Sequence, residues 1–416
     1  MKLNGSEVTA LTDILRNPNA FPERSEAAEV SNVAEFVHCI SQLKDAAYFR
    51  GESREFERRD AKALRRNDSA DPVKKLCSEY RAATFSKLTE NEKENFAAFS
   101  QHHGIPTNLL DVSSNPLIAL YFACEADPES DGFVYLFDDD FIDLTAVLSD
   151  EHITDTRKFA EDARRGNVSG TLTKALEDYR ERHLETMIHF IVNTAVVLTS
   201  VKGDKFVRDI LPDIRSIVKE HRKCGDNMEE WTDISKSKFP YLYNSTVDIY
   251  IKLLGMAYEF ISALLSFPRK CGLSWQLTPT IMYRPNLTFD RAQRQVSSFI
   301  VQPYVCENGV FLKDIVRTAY SIRVKADSKK EILDALDMCD VNKKTIFKDF
   351  DSVASYVTEK HVSNRRMPMP ALAKLDNTIL SGSEVNYWIK SLGENLYSAS
   401  REANCRAYSN ETRKRI

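Results

Sequence analysis

Leu117-Ile118-Ala119-Leu120-Tyr121-Phe122-Ala123-Cys124 is apolar on nearly every side and follows Ser113-Ser114-Asn115-Pro116, polar capping candidates with proline at the first helical position. A helix without a polar face has to be enclosed all round. This segment therefore fixes the centre of a core, and whatever directly precedes it is held by that core. What precedes it is Gln101-His102-His103-Gly104-Ile105-Pro106-Thr107-Asn108-Leu109-Leu110-Asp111. Adjacent imidazoles meet a Gly-Pro turn, Pro106 presses Ile105 toward extended backbone, and a short apolar strand leads to a carboxylate. An ordinary connecting loop rarely needs all of these together.

The pattern around that centre is mixed. Residues 1–45 read as helical, with Ser31-Asn32 capping apolar positions at helical spacing. Ala46–Gly51 reads as an aromatic strand ending in glycine, 52–70 as a charge-dense exposed stretch, and 72–103 as helical again. Gly132–Phe137, 281–283, 299–301 and Tyr320–Val324 carry strand signals. Residues 142–268 read as mostly helical, as do 328–338 and 350–361. The expected organisation is an N-terminal helical segment (1–30), two halves of one α+β domain (31–145 and 280–362), a helical insertion (146–279) and a C-terminal helical extension (363–416).

Composition narrows the class. Among 416 residues, 43% are hydrophobic and 28% charged, enough to bury a sizeable core. A formal charge of −4 gives no electrostatic case for nucleic acid as the main partner. The eight cysteines form no C-x-x-C pair and no Cys/His spacing suited to zinc, so reduced thiols and no metal are expected. Met1 opens no apolar secretory run, and the longest apolar stretches are interrupted by His189, Asn193, Lys252 and Glu259. The expectation is a cytoplasmic protein with no membrane association.

Several residues could carry chemistry. Arg50, at a strand end and followed by Gly51, could point a planar guanidinium at a phosphate, with the missing side chain at 51 letting a ligand approach. The alternative is a salt bridge tying the strand to Glu35, Asp111 or another acid. His102 or His103 could act as general acid/base or bond a ribose hydroxyl, the other bracing the turn; alternatively both are satisfied by backbone carbonyls. Asp111 could orient a histidine, accept from Arg50 or belong to the helix cap, and Thr107 could donate to a ligand. Asn115 opens a helix whose first amides could receive an anion. Arg291 and Gln295 lie four apart, and Gln295 could position a nucleophile or hold an amide. Gln295 cannot ionise, so any carboxylate supporting positive charge would be Glu52 or Asp111. Walker-type, Gly-x-Ser-x-Gly, His-Glu-x-x-His and G-x-G-x-x-G motifs are absent from the sequence. The remaining histidines stand singly in helical patterns and read as structural.

Phe49-Arg50-Gly51 resembles the signature of the FRG domain, and Gln101–Ala123 resembles that family's second motif: Gln-His-His-Gly, Pro-Thr and Leu-Leu-Asp leading into Asn-Pro and an apolar helix. Pro285, Arg291, Gln295 and Phe299 fit its closing motif, and Tyr320–His361 resembles its usual C-terminal part. The likeness covers roughly 30–145 and 280–362. Asn108 stands where the family usually has arginine, Val112 where tryptophan is usual, and Ser297 where glycine is usual. The family's layout is similar to that of ADP-ribosyltransferases, which implies a split mixed sheet. It also implies NAD as substrate, in a cleft built from Arg50, Gly51, Glu52, His102, His103, Thr107, Asp111, Asn115, Arg291 and Gln295. The implied chemistry is ADP-ribosyl transfer to a protein or nucleic-acid acceptor, or NAD hydrolysis, in bacterial or phage conflict. The rival readings are a nucleotide-sensing or partner-binding module and a nuclease-type toxin using the paired histidines.

Overall fold

The computed structural model describes residues 27–43, 46–56, 59–65, 72–199, 240–265, 278–285, 297–307, 310–316, 318–347 and 350–362, with scattered positions between 207 and 238. The chain divides into two compact units, Met1–Ala354 and Ser355–Ile416, and the described part of the second is the end of one helix.

The first unit is α+β, built on a mixed eight-stranded sheet. Its strands are β1 (Ala27–Val30), β2 (Tyr48–Glu52), β3 (Leu109–Ser113), β4 (Gly132–Phe137), β5 (Phe141–Asp143), β6 (Thr280–Tyr283), β7 (Ser297–Val301) and β10 (Tyr320–Val324). The remaining strands, β8 (Tyr304–Glu307) and β9 (Val310–Lys313), form a separate antiparallel ribbon. The spatial order is β1-β10-β4-β2-β3-β7-β6-β5, parallel at both ends and antiparallel between. Most neighbouring strands share long registers, such as Tyr48↔Phe137 through Glu52↔Phe133. The central β2–β3 junction has the single pair Phe49↔Ser113. The sheet is thus split into two four-stranded halves that part beyond that pair.

The apolar helix expected at 116–124 is Pro116–Cys124, with Asn115 as its cap accepting from Leu117 N at 2.9 Å. In the chain order of described helices it is α5, after α1 (Val33–Gln42), α2 (Pro72–Thr84), α3 (Glu90–Glu94) and α4 (Phe96–His102). It buries Ala119, Leu120, Ala123 and Cys124 against Phe49, Val134, Leu136, Ile322 and Val324. The second half of the sheet is covered by α6 (Asp150–Thr154), α7 (Thr156–Arg165), α8 (Ser169–Thr199) and α9 (Pro240–Leu265), which share one core with Leu109, Ile281, Phe299 and Val301. These helices fall between β5 and β6, parallel neighbours that no tight turn could join. Two further helices, α10 (Lys329–Met338) and α11 (Lys343–Phe347), and α12 (Phe350–Val362) follow β10.

Two sequence expectations need correction. The N-terminal region is not uniformly helical, because Ala27–Val30 is a strand, while residues 1–26 lie outside the described residues. The charge-dense stretch from 52 is not simply surface. Arg59, Asp60, Ala61, Ala63 and Leu64 are buried, since Asp60 is matched by Gln302 and Lys313 and the apolar residues join a small core with Val73 and Tyr304.

Candidate functional site

Alternation along β2 sorts its side chains. Phe49 and Gly51 face α5, while Tyr48, Arg50 and Glu52 face the other way, toward the layer of Leu110, Val112, Tyr135 and Ile300. A Cβ at Gly51 would stand 1.8 Å from the Ala119 carbonyl oxygen and 2.7 Å from Ala123 N. The glycine is thus required by helix–strand packing, and the space expected for a ligand is filled by α5.

On the opposite face Arg50 donates from Nε to Glu52 Oε1 at 2.9 Å and from Nη1 to the Asp111 carbonyl at 2.9 Å. The second bond crosses the split. Asp111 pairs on its far side with Phe299, and the parting of the strands frees its carbonyl toward β2. With Nε and Nη1 occupied, Arg50 keeps Nη2 for a further acceptor, less than the bidentate grip expected of it.

The neighbours of Arg50 supply more positive charge. Arg65 Nη2 stands 3.6 Å from Glu52 Oε1, and its Nε donates to the Asp60 carbonyl at 2.9 Å. Arg54 and Arg65 both lie over the Phe56 ring, with guanidinium carbons 5.1 and 4.8 Å from its centroid, and Arg54 Nε stands 3.9 Å from Asp127 Oδ2. Arg59 lies 4.7 Å over the Tyr135 ring. Burial, and then the charge on Arg50, holds the Arg65 guanidinium below its usual value, with Glu52 and Asp60 opposing. Burial pushes the Tyr135 hydroxyl up, against the pull of Arg59. Glu52 is almost fully enclosed, its side chain 2% exposed. Its second oxygen, Oε2, has no hydrogen-bond partner among the described residues.

Across the split, Asp111 is exposed, and its side chain points to the face opposite Arg50, between the inward-facing Leu110 and Val112. Gln101 Nε2 donates to Asp111 Oδ2 at 2.7 Å, and the Thr107 hydroxyl donates to Gln101 Oε1. This relay fixes an accessible carboxylate from beneath. Thr107 is fully buried and accepts from Leu109 N at 3.1 Å, so its hydroxyl is engaged within the loop. His102 and His103, at the end of α4, stand edge to face with ring centres 4.9 Å apart, and His103 lies 4.4 Å from Phe99. Gly104 follows at φ +89, a left-handed turn suited to glycine. The connection from this helix to Arg50 runs through Gln101 and Asp111.

Asn115 uses its side-chain oxygen on the cap. Asn108 is fully buried, donating to the Ile153 and Gln302 carbonyls at 2.8 and 3.2 Å, which closes position 108 to an anion. Arg291 and Gln295 lie outside the described residues. The sequence reading missed Arg54, Phe56, Arg59, Arg65 and Tyr135. The signal for them in the sequence is the interleaving of arginines with one aromatic, Phe56, within 54–65. His152 is structural as expected, accepting from Ser149 N at the start of α6 and bonding Asp162 at 3.1 Å. No group suited to holding a metal occurs among the described residues, and no described helix is long and apolar enough to cross a membrane.

The Arg50 strand and the Gln101–Asp111 segment, joined at the split, fall within a single stretch of sequence that matches a known family model, residues 45–132. That stretch is an FRG domain. No curated protein and no solved structure matches the chain. The FRG segment supplies β2, β3, α5 and the start of β4, whereas β7 and β10, which flank β3 and β4, come from beyond it.

Proposed function

We propose that the FRG domain binds a phosphate-bearing nucleotide, NAD, at the split between β2 and β3, and cleaves its nicotinamide–ribose bond. The observation that carries this reading is the convergence of Arg50, Arg54 and Arg65 on one partly open face. Arg50 and Arg65 share the one carboxylate of Glu52, and Arg54 stands 3.9 Å from Asp127, an arrangement of guanidinium groups suited to a pyrophosphate. Arg54 and Arg65, 57% and 32% exposed, take the phosphates together with the remaining Nη2 of Arg50. Glu52, the carboxylate on that same face, supports the reacting centre. As the C1′–N bond breaks, nicotinamide leaves with the electron pair, positive charge develops on the ribose, and the fixed carboxylate opposes it. Water or an acceptor nucleophile then forms the new bond to C1′ and loses its proton to Glu52. Such chemistry suits an effector that depletes NAD or modifies a macromolecule in bacterial or phage conflict, in keeping with the resemblance to ADP-ribosyltransferases.

A second reading, retention of the nucleotide without turnover, is favoured by a specific observation: the Asp111 carboxylate and the arginines lie on opposite faces of the sheet. Purified full-length chain incubated with nicotinamide-labelled NAD separates the two. Release of nicotinamide, reduced about 100-fold or more by Glu52→Gln with nucleotide binding retained, supports cleavage. Saturable NAD binding with no release supports the sensor, and neither binding nor release overturns both.

A further inference from the structure

The two oxygens of Glu52 are served unequally. Oε1 receives Arg50 Nε at 2.9 Å and stands 3.6 Å from Arg65 Nη2, while Oε2 is buried with no hydrogen-bond partner among the described residues. A charged acceptor taken out of water and left unmatched is costly, and native proteins fill such positions with a donor. Arginines surround this carboxylate, yet none of their described bonds reaches Oε2. A ligand completing the site therefore has to bring an O–H or N–H donor as well as an anionic group.

Spacing narrows the class. Arg65 stands beside the partner oxygen of the same carboxylate, so donor and phosphate have to lie within about one sugar of each other. In a nucleotide the ribose hydroxyls meet that condition, whereas the exocyclic amine of the base lies much farther from the phosphates. A carboxylate accepting from ribose hydroxyls is a general device of nucleotide recognition. Glu52 itself is enclosed, and the more open side of the site is that of Arg65, 32% exposed against 15% for Arg50. The ribose then enters past the guanidinium that holds its phosphate.

We propose that Glu52 Oε2 accepts a hydrogen bond from a ribose hydroxyl of the bound nucleotide, making the site selective for ribonucleotides over their deoxy forms. This rests on the nucleotide-binding part of the proposed function and is independent of turnover. It assigns Glu52 to recognition of the sugar, apart from the charge on the phosphates.

Calorimetric titration of the full-length chain with ADP, 2′-deoxy-ADP, 3′-deoxy-ADP and inorganic pyrophosphate tests it. The expected result is a loss of about 10- to 100-fold in affinity for one deoxy form relative to ADP, the scale of a hydrogen bond to a charged group; which form loses identifies the hydroxyl. In Glu52→Gln that discrimination should shrink toward unity while pyrophosphate affinity holds or rises. The comparison on the unmodified chain needs no variant, so a folding defect in Glu52→Gln does not blunt it. Equal binding of ADP and both deoxy forms overturns the inference and leaves nucleotide binding standing, with water on Oε2. Failure of ADP and pyrophosphate alike overturns the inference together with the binding reading beneath it.

Discussion

Two carboxylates lie buried on the same short stretch of chain, and they are treated differently. Asp60 is fully matched: Oδ1 accepts from Gln302 Nε2 at 2.8 Å, Oδ2 accepts from Lys313 Nζ, and its carbonyl takes Arg65 Nε. Gln302, itself fully buried, also accepts from Ala61 N at 2.8 Å and donates to the Asp314 carbonyl at 2.7 Å. Glu52 has guanidinium neighbours on one oxygen and none on the other. A saturated network is what a structural staple requires, because every unmatched member weakens it. An enclosed charge with an open valence, ringed by partly exposed arginines, is what a site awaiting its ligand looks like. On the proposed reading, 59–64 staples the fold while 50–56 and Arg65 meet the ligand.

Stability measurements can break that comparison. Asp60→Ala should have the largest effect, about 3–5 kcal/mol in denaturant unfolding, because it leaves the Lys313 ammonium without its buried partner. If Asp60→Ala proves no more harmful than Glu52→Gln, the staple-versus-site distinction fails. Gly51→Ala should cost about 3 kcal/mol, by forcing α5 away from the sheet; an unchanged midpoint would mean that the helix rides on β2 more loosely than the structure has it. Asn115→Ala should cost about 1 kcal/mol through loss of the α5 cap, without altering ligand selectivity at Glu52. The smallest effect concerns Asp131, held below the usual carboxylate range chiefly by the Ala326 amide and then by Arg323. Its folded value lies below its unfolded one. Its stabilising contribution is therefore full above the ordinary carboxylate range and disappears as pH falls through the lowered value. Asp131→Asn should flatten that acid limb, and an unchanged pH profile would remove the group from it.

Much of the fold was legible in the sequence. The Asn-Pro start of α5 and its unbroken apolar run place it correctly, since capping and burial are both local signals. The strands at 132–137 and 320–324 also follow from local pattern. Strands β1, β5, β8 and β9 did not. Val30 is fully buried while Ala28 and Glu29 are exposed, and the segment is a strand because β10 pairs with it from nearly three hundred residues away. The site was half legible. Arg50 bonds the Asp111 carbonyl and Gln101 the Asp111 carboxylate, but that carboxylate turns to the face opposite Arg50. Asp60 is matched by Lys313 and Gln302 and Arg59 lies over Tyr135, partners too distant in sequence for a local charge run to reveal. Face parity was the other hidden variable: one residue of register decides whether Asp111 joins the arginines or opposes them.

The most direct test of the central claim, that a nucleotide seats on the arginine face at the β2–β3 split, is hydrogen exchange of the full-length chain with and without saturating NAD. The account expects slowed exchange at 50–56 and 62–65, extending across the split to 109–111. Protection confined to other regions, such as α7 and α9, or no change at all, would contradict it.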